Sequence, residues 1–334
     1  METRKNNEKP YYTVSVAIAT YNGEKYIKEQ LNSILCQSHK PDEIVISDGG
    51  STDNTVELCR EILSSSLVKS KILVSQERLS PAMNFQHALE ACDKDYVLLS
   101  DQDDVWMPHK VERMLAIAQE TDADLIFSNA EIVDSTMKTI STSTIWDKIN
   151  YHQDRIVKYY SSEDTVFLID LLRRDIVTGM TACISKRLKN RCLPFCKCIL
   201  HDVWIALIAA TTGSVAAVNE NLVKYRQHES NAVGADNKAE YNLNNIDPYT
   251  DNILIRKKVV DEIFDRNKDD ISQACRREMQ EYIEYMNARY LFVKGNSSQF
   301  SSRKRRQLYY KYEIKPWEIY LKDYIIRRKN KFGS

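Results

Sequence analysis

Along the first hundred residues, short apolar runs alternate with segments whose apolar residues recur every three or four positions. In TVSVAIAT, Val14, Val16 and Ile18 fall on every second position and predict a strand; Ile27, Leu31, Ile34 and Leu35 then follow at helical spacing. EIVISD predicts a second strand, with Ser51 or Thr52 placed to cap a helix through Val56, Leu58 and Ile62. KILVS, PAMNFQHALEAC and DYVLLS repeat the unit. Successive units of this length predict an α/β fold with parallel strands, right-handed crossovers and helices on both faces. A ligand would then lie beyond the strand C-termini.

The pattern loosens further on. ADLIFSNAEIVD and GMTACIS predict strands, HDVWIALIAATTG a buried helix ended by Gly213, and SVAAVNENLVKYR one or two strands. Residues 135–160 show no clear period and predict a long loop, of the kind that serves as a lid or binding loop. From about residue 250, DNILIRKKVVDEIF and REMQEYIEYMNARYLFVK carry helical spacing without strand signal. The expected division is a domain over 1–240 and a helical C-terminal region over 241–334.

Composition narrows the class. With 334 residues and 43% hydrophobic content, the chain can bury a full core. No run approaches the roughly 18 apolar residues of a membrane span, and METRKNNEKPYY lacks the apolar centre of a signal peptide. The expected location is cytoplasmic, with the eight scattered cysteines reduced. Formal net charge is zero, but residues 301–334 hold eleven Lys/Arg against three acids, a local +8. Tyr309, Tyr310, Tyr312, Trp317, Tyr320, Tyr324, Ile325 and Ile326 are interleaved with those cations. Such a mixture suits an anionic membrane surface, peripheral on the inner face. The plainer alternative is a helix packing its aromatic face on the domain. No nucleic-acid partner is expected.

Neither GxxxxGK[ST] nor GxGxxG occurs, so phosphates would need another device. In SDQDDVW, Asp101, Asp103 and Asp104 directly follow the strand DYVLLS. Carboxylates gathered at a strand end suit Mg²⁺ or Mn²⁺, which can bridge two phosphates. Asp104 is expected to cap the following helix, with Pro108 in its first turn. For Asp101 and Asp103 a ligand role is favoured, because adjacent carboxylates without a cation are costly to bury. Cys192, Cys196, Cys198 and His201 have zinc-binding chemistry, but their spacing fits no common zinc module and predicts only a loop beside the active site.

Five motifs, in order, carry a resemblance: ATYNGEKYI at 19–27, EIVISDGGSTDNT at 43–55, SDQDDVW at 100–106, HDVW at 201–204 and YRQHESN at 225–231. Over about 12–235 the chain resembles the family 2 glycosyltransferases of the GT-A fold, in the bacterial branch that includes rhamnosyltransferases of surface polysaccharide assembly. The resemblance implies a Rossmann-like, mostly parallel central sheet. It implies that Thr20, Tyr21 and Asn22 line the nucleotide pocket and that Asp48 binds the base edge. It places Asp101 near the ribose, Asp103 on the metal, Asp202 as catalytic base and His228 as a second metal ligand. Asn84 matches a nucleotide-site position, whereas Leu79 stands where many relatives have glycine. His201 would orient Asp202 or touch acceptor; Trp106 and Trp204 would stack on sugars or belong to the core; Arg226, within the late motif, would contact donor or acceptor.

The implied activity is metal-dependent, inverting transfer of one sugar to a lipid-linked or other glycan acceptor. Rhamnose from a dTDP donor leads, with UDP-hexose or UDP-N-acetylhexosamine as the alternative. The absent QxxRW motif and membrane spans argue against a polymerase. An intact Asp202 argues against a non-catalytic nucleotide-sugar-binding module, and the missing glycine-rich loop against a nucleotidyltransferase.

Overall fold

The computed structural model describes residues 11–228, 248–296 and 301–332. Three βα units open the chain: β1 (Val14–Thr20) and α1 (Ile27–Leu35), β2 (Glu43–Asp48) and α2 (Thr55–Ser64), β3 (Lys69–Val74) and α3 (Pro81–Ala91). β4 (Tyr96–Ser100), β5 (Val105–Trp106), α4 (Lys110–Thr121) and β6 (Leu125–Val133) follow. Next come α5 (Ile145–Lys148), β7 (Val157–Ser161), α6 (Val166–Arg173), β8 (Ala182–Ser185), α7 (Lys186–Cys192), α8 (His201–Thr212) and β9 (Ser214–Arg226). The last helices are α9 (Pro248–Asn267), α10 (Gln273–Val293), α11 (Ser302–Tyr312) and α12 (Pro316–Phe332). The segment expected to be a loop over 135–160 thus carries a short helix and the start of a strand. α5 is held by a reciprocal cap between Thr144 and Asp147.

The chain forms two compact units whose segments interleave. The first takes residues up to 159, 177–195 and 215–228; the second takes 160–176, 196–214 and the residues from 229 on. The boundary expected at 240 lies outside the described residues.

In the first unit the strand order is β3-β2-β1-β4-β8-β6-β9-β5. β3, β2, β1 and β4 pair in parallel, β8 runs antiparallel to β4 and β6, and β9 is parallel to β6. β2 and β4 are buried throughout and β1 nearly so, as expected of parallel strands covered on both faces. β3 is mostly exposed, and Lys69 and Lys71 charge this edge against pairing with another chain. The parallel register pairs Thr20 with Asp48 and Ile18 with Ser100. The residues after β1, β2 and β4 therefore emerge at one end of the sheet.

Two expected helix starts differ. α2 begins at Thr55, beyond Ser51 and Thr52, because Asp53 accepts the Thr55 N–H at 3.0 Å and sets the first turn. Asp104 does not cap α4, which begins after His109 without a side-chain cap. Its carboxylate is fully buried and accepts the backbone N–H of Arg226 at 3.0 Å.

In the second unit, α10 packs with α9, α11 and α12 around a tyrosine cluster. Tyr282, Tyr285, Tyr309 and Tyr312 are buried, with ring centroids of successive pairs 5.1–6.2 Å apart. Tyr312 donates to Glu278 at 2.6 Å, and Arg289 bonds Asp323 at 2.8 Å and Glu313 at 2.7 Å. The aromatic tail therefore divides in two. Tyr309 and Tyr312 are interior, whereas Tyr310, Trp317, Tyr324 and Ile325 are exposed. Among the described residues no helix is long and apolar enough to cross a membrane.

Candidate active site

At the C-terminal end of the parallel strands, three loops are bound to one another. Asp48, at the end of β2, is fully buried. Its Oδ1 accepts the N–H groups of Gly50 (3.2 Å) and Ser51 (2.8 Å), and its Oδ2 accepts the hydroxyls of Thr20 (2.8 Å) and Ser51 (2.6 Å). A carboxylate has about four lone-pair sites, so here Asp48 serves as the anchor of its own turn. Gly50, with φ of +86°, occupies the left-handed region that this turn needs. Asn22 also sits left-handed at φ +46°; its N–H donates to Ser51 Oγ (2.8 Å) and its Oδ1 accepts from the Thr52 N–H (2.9 Å).

The acidic loop is tied to the same place by Gln102. Its amide donates to the Tyr21 carbonyl at 3.0 Å and accepts the Tyr21 N–H at 2.9 Å. Gly23 makes the clamp sterically possible, because a Cβ there would stand 2.1 Å from Gln102 Oε1. On the other side, Asn84 of α3 donates to the Thr20 carbonyl at 2.8 Å. Its buried Oδ1 has no hydrogen-bond partner among the described residues. The half-buried Tyr21 ring carries the Arg78 guanidinium 4.9 Å from its centroid.

Beyond Gln102, Asp103 Oδ2 lies 2.9 Å from His228 Nε2. The sequence separates these residues by 125 positions; the closing of β9 against β5 and β6 brings them together. Asp104 stands behind them, its carboxyl held well above the ordinary range by burial and then by the charges of Asp103 and Asp101. Its Oδ2 has no hydrogen-bond partner among the described residues. The same three aspartates, after burial, push the Tyr225 hydroxyl up to about 12. Asp103 and His228, a carboxylate and an imidazole 2.9 Å apart, are two donors of a kind that fits a divalent cation.

Arg226, expected to contact ligand, is instead an interior brace with 2% of its surface exposed. Its Nε donates to the Asp103 carbonyl (2.7 Å) and its Nη1 to the Ser135 carbonyl (2.9 Å); its Nη2 pairs with Glu29 of α1. Its guanidinium also lies 4.5 Å from the centroid of the Tyr26 ring, which in turn lies tilted at 4.7 Å from the His228 ring. Trp106 is buried, with the ammonium of Lys110 3.8 Å from its centroid. Burial brings Lys110 down to about 7, and its Nζ donates to the Met180 carbonyl at 2.6 Å. With its amide nitrogen toward the Asp104 carbonyl (2.6 Å), Gln30 accepts from Trp106 Nε1 at 3.1 Å. Gln102, Gln30, Glu29 and Tyr26 were missed from sequence, since no local pattern signals which distant loop a polar or aromatic side chain will brace.

The HDVW motif belongs to the second unit. Asp202 lies in the first turn of α8, half-buried, and accepts the Val203 N–H at 2.8 Å. Its charge raises the carboxyl of Asp175, after desolvation, above the usual range. Trp204 is fully buried, with Arg266 5.2 Å from its centroid, so both candidate sugar-stacking tryptophans are core residues. His201 is also buried, and desolvation pulls its imidazole down to about 3, so it is neutral and faces the interior rather than an acceptor. Cys192 is buried and belongs to the first unit, whereas Cys196 and Cys198 belong to the second.

Comparison with known proteins decides the family. The model of "Glycosyl transferase family 2" matches residues 15–179. A dTDP-rhamnosyl transferase, RfbG of Shigella flexneri, is 30% identical over 225 residues, covering 66% of this chain and 74% of that protein. The chain belongs to the family 2 glycosyltransferases. As one of these glycosyltransferases it also shares its fold with solved structures. Staphylococcus aureus TarS 1-349 in complex with UDP-GlcNAc matches with a TM-score of 0.61 at 16% identity, over 96% of this chain and 92% of that one. A mannosyltransferase of Pyrobaculum calidifontis in complex with GDP-Man and Mn²⁺ matches with a TM-score of 0.52 at 16% identity, over 97% and 88%. At these identities the likeness establishes the GT-A fold with added C-terminal helices.

Proposed function

We propose that this glycosyltransferase moves a single sugar from a nucleotide diphosphate donor to a hydroxyl of a lipid-linked or other glycan, with inversion. Rhamnose from a dTDP donor is the first candidate, supported by the resemblance to RfbG; UDP-hexoses and UDP-N-acetylhexosamines are the second, supported by the TarS likeness. The observation that carries the reading is the meeting of Asp103 and His228, 2.9 Å apart, beside the braced loops after β1 and β2. In this reading Asp103 and His228 hold Mg²⁺ or Mn²⁺, which when bound acts as a Lewis acid at the leaving diphosphate. Phosphate oxygens and water would complete its shell.

The chain's own residues do the rest. Thr20, Tyr21 and Asn22 form the wall of the nucleotide pocket, with Asp101 toward the ribose. Asn84 Oδ1, a buried acceptor without a partner among the described residues, is suited to a ligand N–H or O–H. Contact of Asp48 with the base edge would require it to give up one of its four hydrogen bonds. Asp202 takes the proton of the attacking hydroxyl, because an alcohol is a poor nucleophile until that proton leaves.

The α12 helix supplies a membrane-facing surface to this reading. Trp317, Leu321, Tyr324 and Ile325 fall at i, i+4, i+7 and i+8 and are 45–58% exposed. The exposed cations Lys315, Lys322 and Arg328 lie alongside. Apolar side chains beside cations suit an anionic bilayer surface, where a lipid-linked acceptor would be met.

The test is a donor screen at fixed Mg²⁺ or Mn²⁺, reading nucleotide diphosphate release and acceptor product across dTDP-, UDP- and GDP-sugars. Asp103→Ala and Asp202→Asn should each lower transfer at least about 100-fold. Full transfer by both variants would sink the site assignment. For the membrane face, Trp317→Ser with Leu321→Ser should abolish sedimentation with phosphatidylglycerol vesicles while leaving transfer to a soluble acceptor intact. Unchanged sedimentation refutes it.

A further inference from the structure

In the second unit, the segment leading into α8 brings two cysteines against α9. The Sγ atoms of Cys196 and Cys198 and a carboxylate oxygen of Glu262 lie within 4.8 Å of one another. We propose that these three side chains form a second metal site, one that takes a thiophilic divalent cation, Zn²⁺ foremost, with water in the fourth position.

The ligand set separates this site from the acidic rim of the first unit. Two thiolates are soft donors that Mg²⁺ does not select, whereas zinc takes sulfur and carboxylate together. At a Zn–S distance of about 2.3 Å, tetrahedral sulfurs stand about 3.8 Å apart. Starting from separations of 4.8 Å or less, the three groups need close by only about 1 Å, within reach of side-chain rotation. Neither cysteine is in a disulfide.

Burial and outer contacts agree with this use. Cys196 is 2% exposed, while Cys198 and Glu262 are half-buried, which leaves one side open for entry and for water. The Cys198 N–H points at Cys196 Sγ at 3.4 Å, a donor suited to a thiolate. Glu262 is held by Arg266, one turn on, at 2.5 Å, and Arg266 in turn lies over Trp204 of α8. Outer contacts of this kind orient metal ligands. The sequence grouped Cys192 and His201 with this pair and predicted a loop rather than a zinc module; Cys192 belongs to the other unit and His201 is buried, and Glu262, which the sequence did not single out, completes the set. A metal here would staple the segment before α8 to α9, four residues ahead of Asp202. That consequence rests on the proposed role of Asp202; the binding itself does not.

The test titrates the full-length reduced chain with Co²⁺, which reports tetrahedral thiolate ligation by its charge-transfer and d–d bands. One equivalent should bind, be displaced by Zn²⁺ and release protons from the thiols. Cys198→Ser should remove the charge-transfer band, and Glu262→Gln should weaken binding at least tenfold. The exposed Cys36→Ser and the acidic-rim variant Asp103→Ala should both keep the band, so loss of sugar transfer and loss of this site remain separable. Absence of a thiolate–cobalt band, its survival in Cys198→Ser, or its loss in Cys36→Ser would each overturn the site. Unchanged affinity in Glu262→Gln would overturn the three-ligand set.

Discussion

Replacing Arg226 tests whether the site is held from within. Its side chain meets the Asp103 and Ser135 carbonyls at 2.7 and 2.9 Å and pairs with Glu29, all from a position 2% exposed. Each buried bond from a charged donor contributes about 1.5–3 kcal/mol. The Glu29 arm is discounted to below about 1 kcal/mol, because that carboxylate is 51% exposed. Stacking on Tyr26 adds about 0.5–1 kcal/mol. Arg226→Ala should therefore destabilise the first unit by about 4–8 kcal/mol, and Arg226→Lys, which can reach only part of this set, by about 2 kcal/mol. Urea unfolding gives the stability change. Mn²⁺ affinity in the presence of a nucleoside diphosphate gives the effect on the rim, expected to weaken at least tenfold because the Asp103 backbone is released. If Arg226→Lys kept wild-type stability and lost donor affinity alone, Arg226 would be a ligand contact and the brace argument would fail.

Three further outcomes follow from the packing. His201 is buried with its pKa lowered from 6.5 to about 3, so the unfolded chain binds its proton more readily as pH falls. Stability contributed by neutral His201 is present above pH 6.5 and lost below it, by about 2 kcal/mol between pH 7 and pH 5; urea midpoints of His201→Gln should show that much less acid sensitivity, and an identical pH slope would refute the assignment. Gly23→Ala drives a Cβ into Gln102, so its cost of about 1–3 kcal/mol should largely vanish in a Gln102→Ala background; additive losses in the double-mutant cycle would contradict the clamp. Asp323→Asn strips the fully buried partner from Arg289 and should cost about 3–5 kcal/mol in thermal or urea unfolding, with less than about 1 kcal/mol counting against a structural pair.

The strand β1 was legible from the alternation of Val14, Val16 and Ile18, and β2 and β4 from the short apolar runs in EIVIS and YVLLS that a strand buried on both faces needs. Their parallel order followed from the helices between them. The acidic loop and the HDVW segment stood out because polar groups at element ends are few and distinctive. Legibility stopped at partners. Asp104, read as a helix cap, became a buried acceptor for Arg226, and Asp48 became the anchor of a turn. The tyrosines of the tail split into interior and exposed sets according to which side of α11 and α12 meets α10.

The sequence by itself determined the α/β alternation, the family motifs and the residue types that the chemistry needs, because these depend on local periodicity and on short segments. The tertiary structure decided which distant groups meet: Asp103 with His228, Gln102 with Tyr21, Glu29 with Arg226, and Cys196 and Cys198 with Glu262. Each pairing is fixed by strand order and helix packing across tens to hundreds of residues, and no local pattern encodes such a distance.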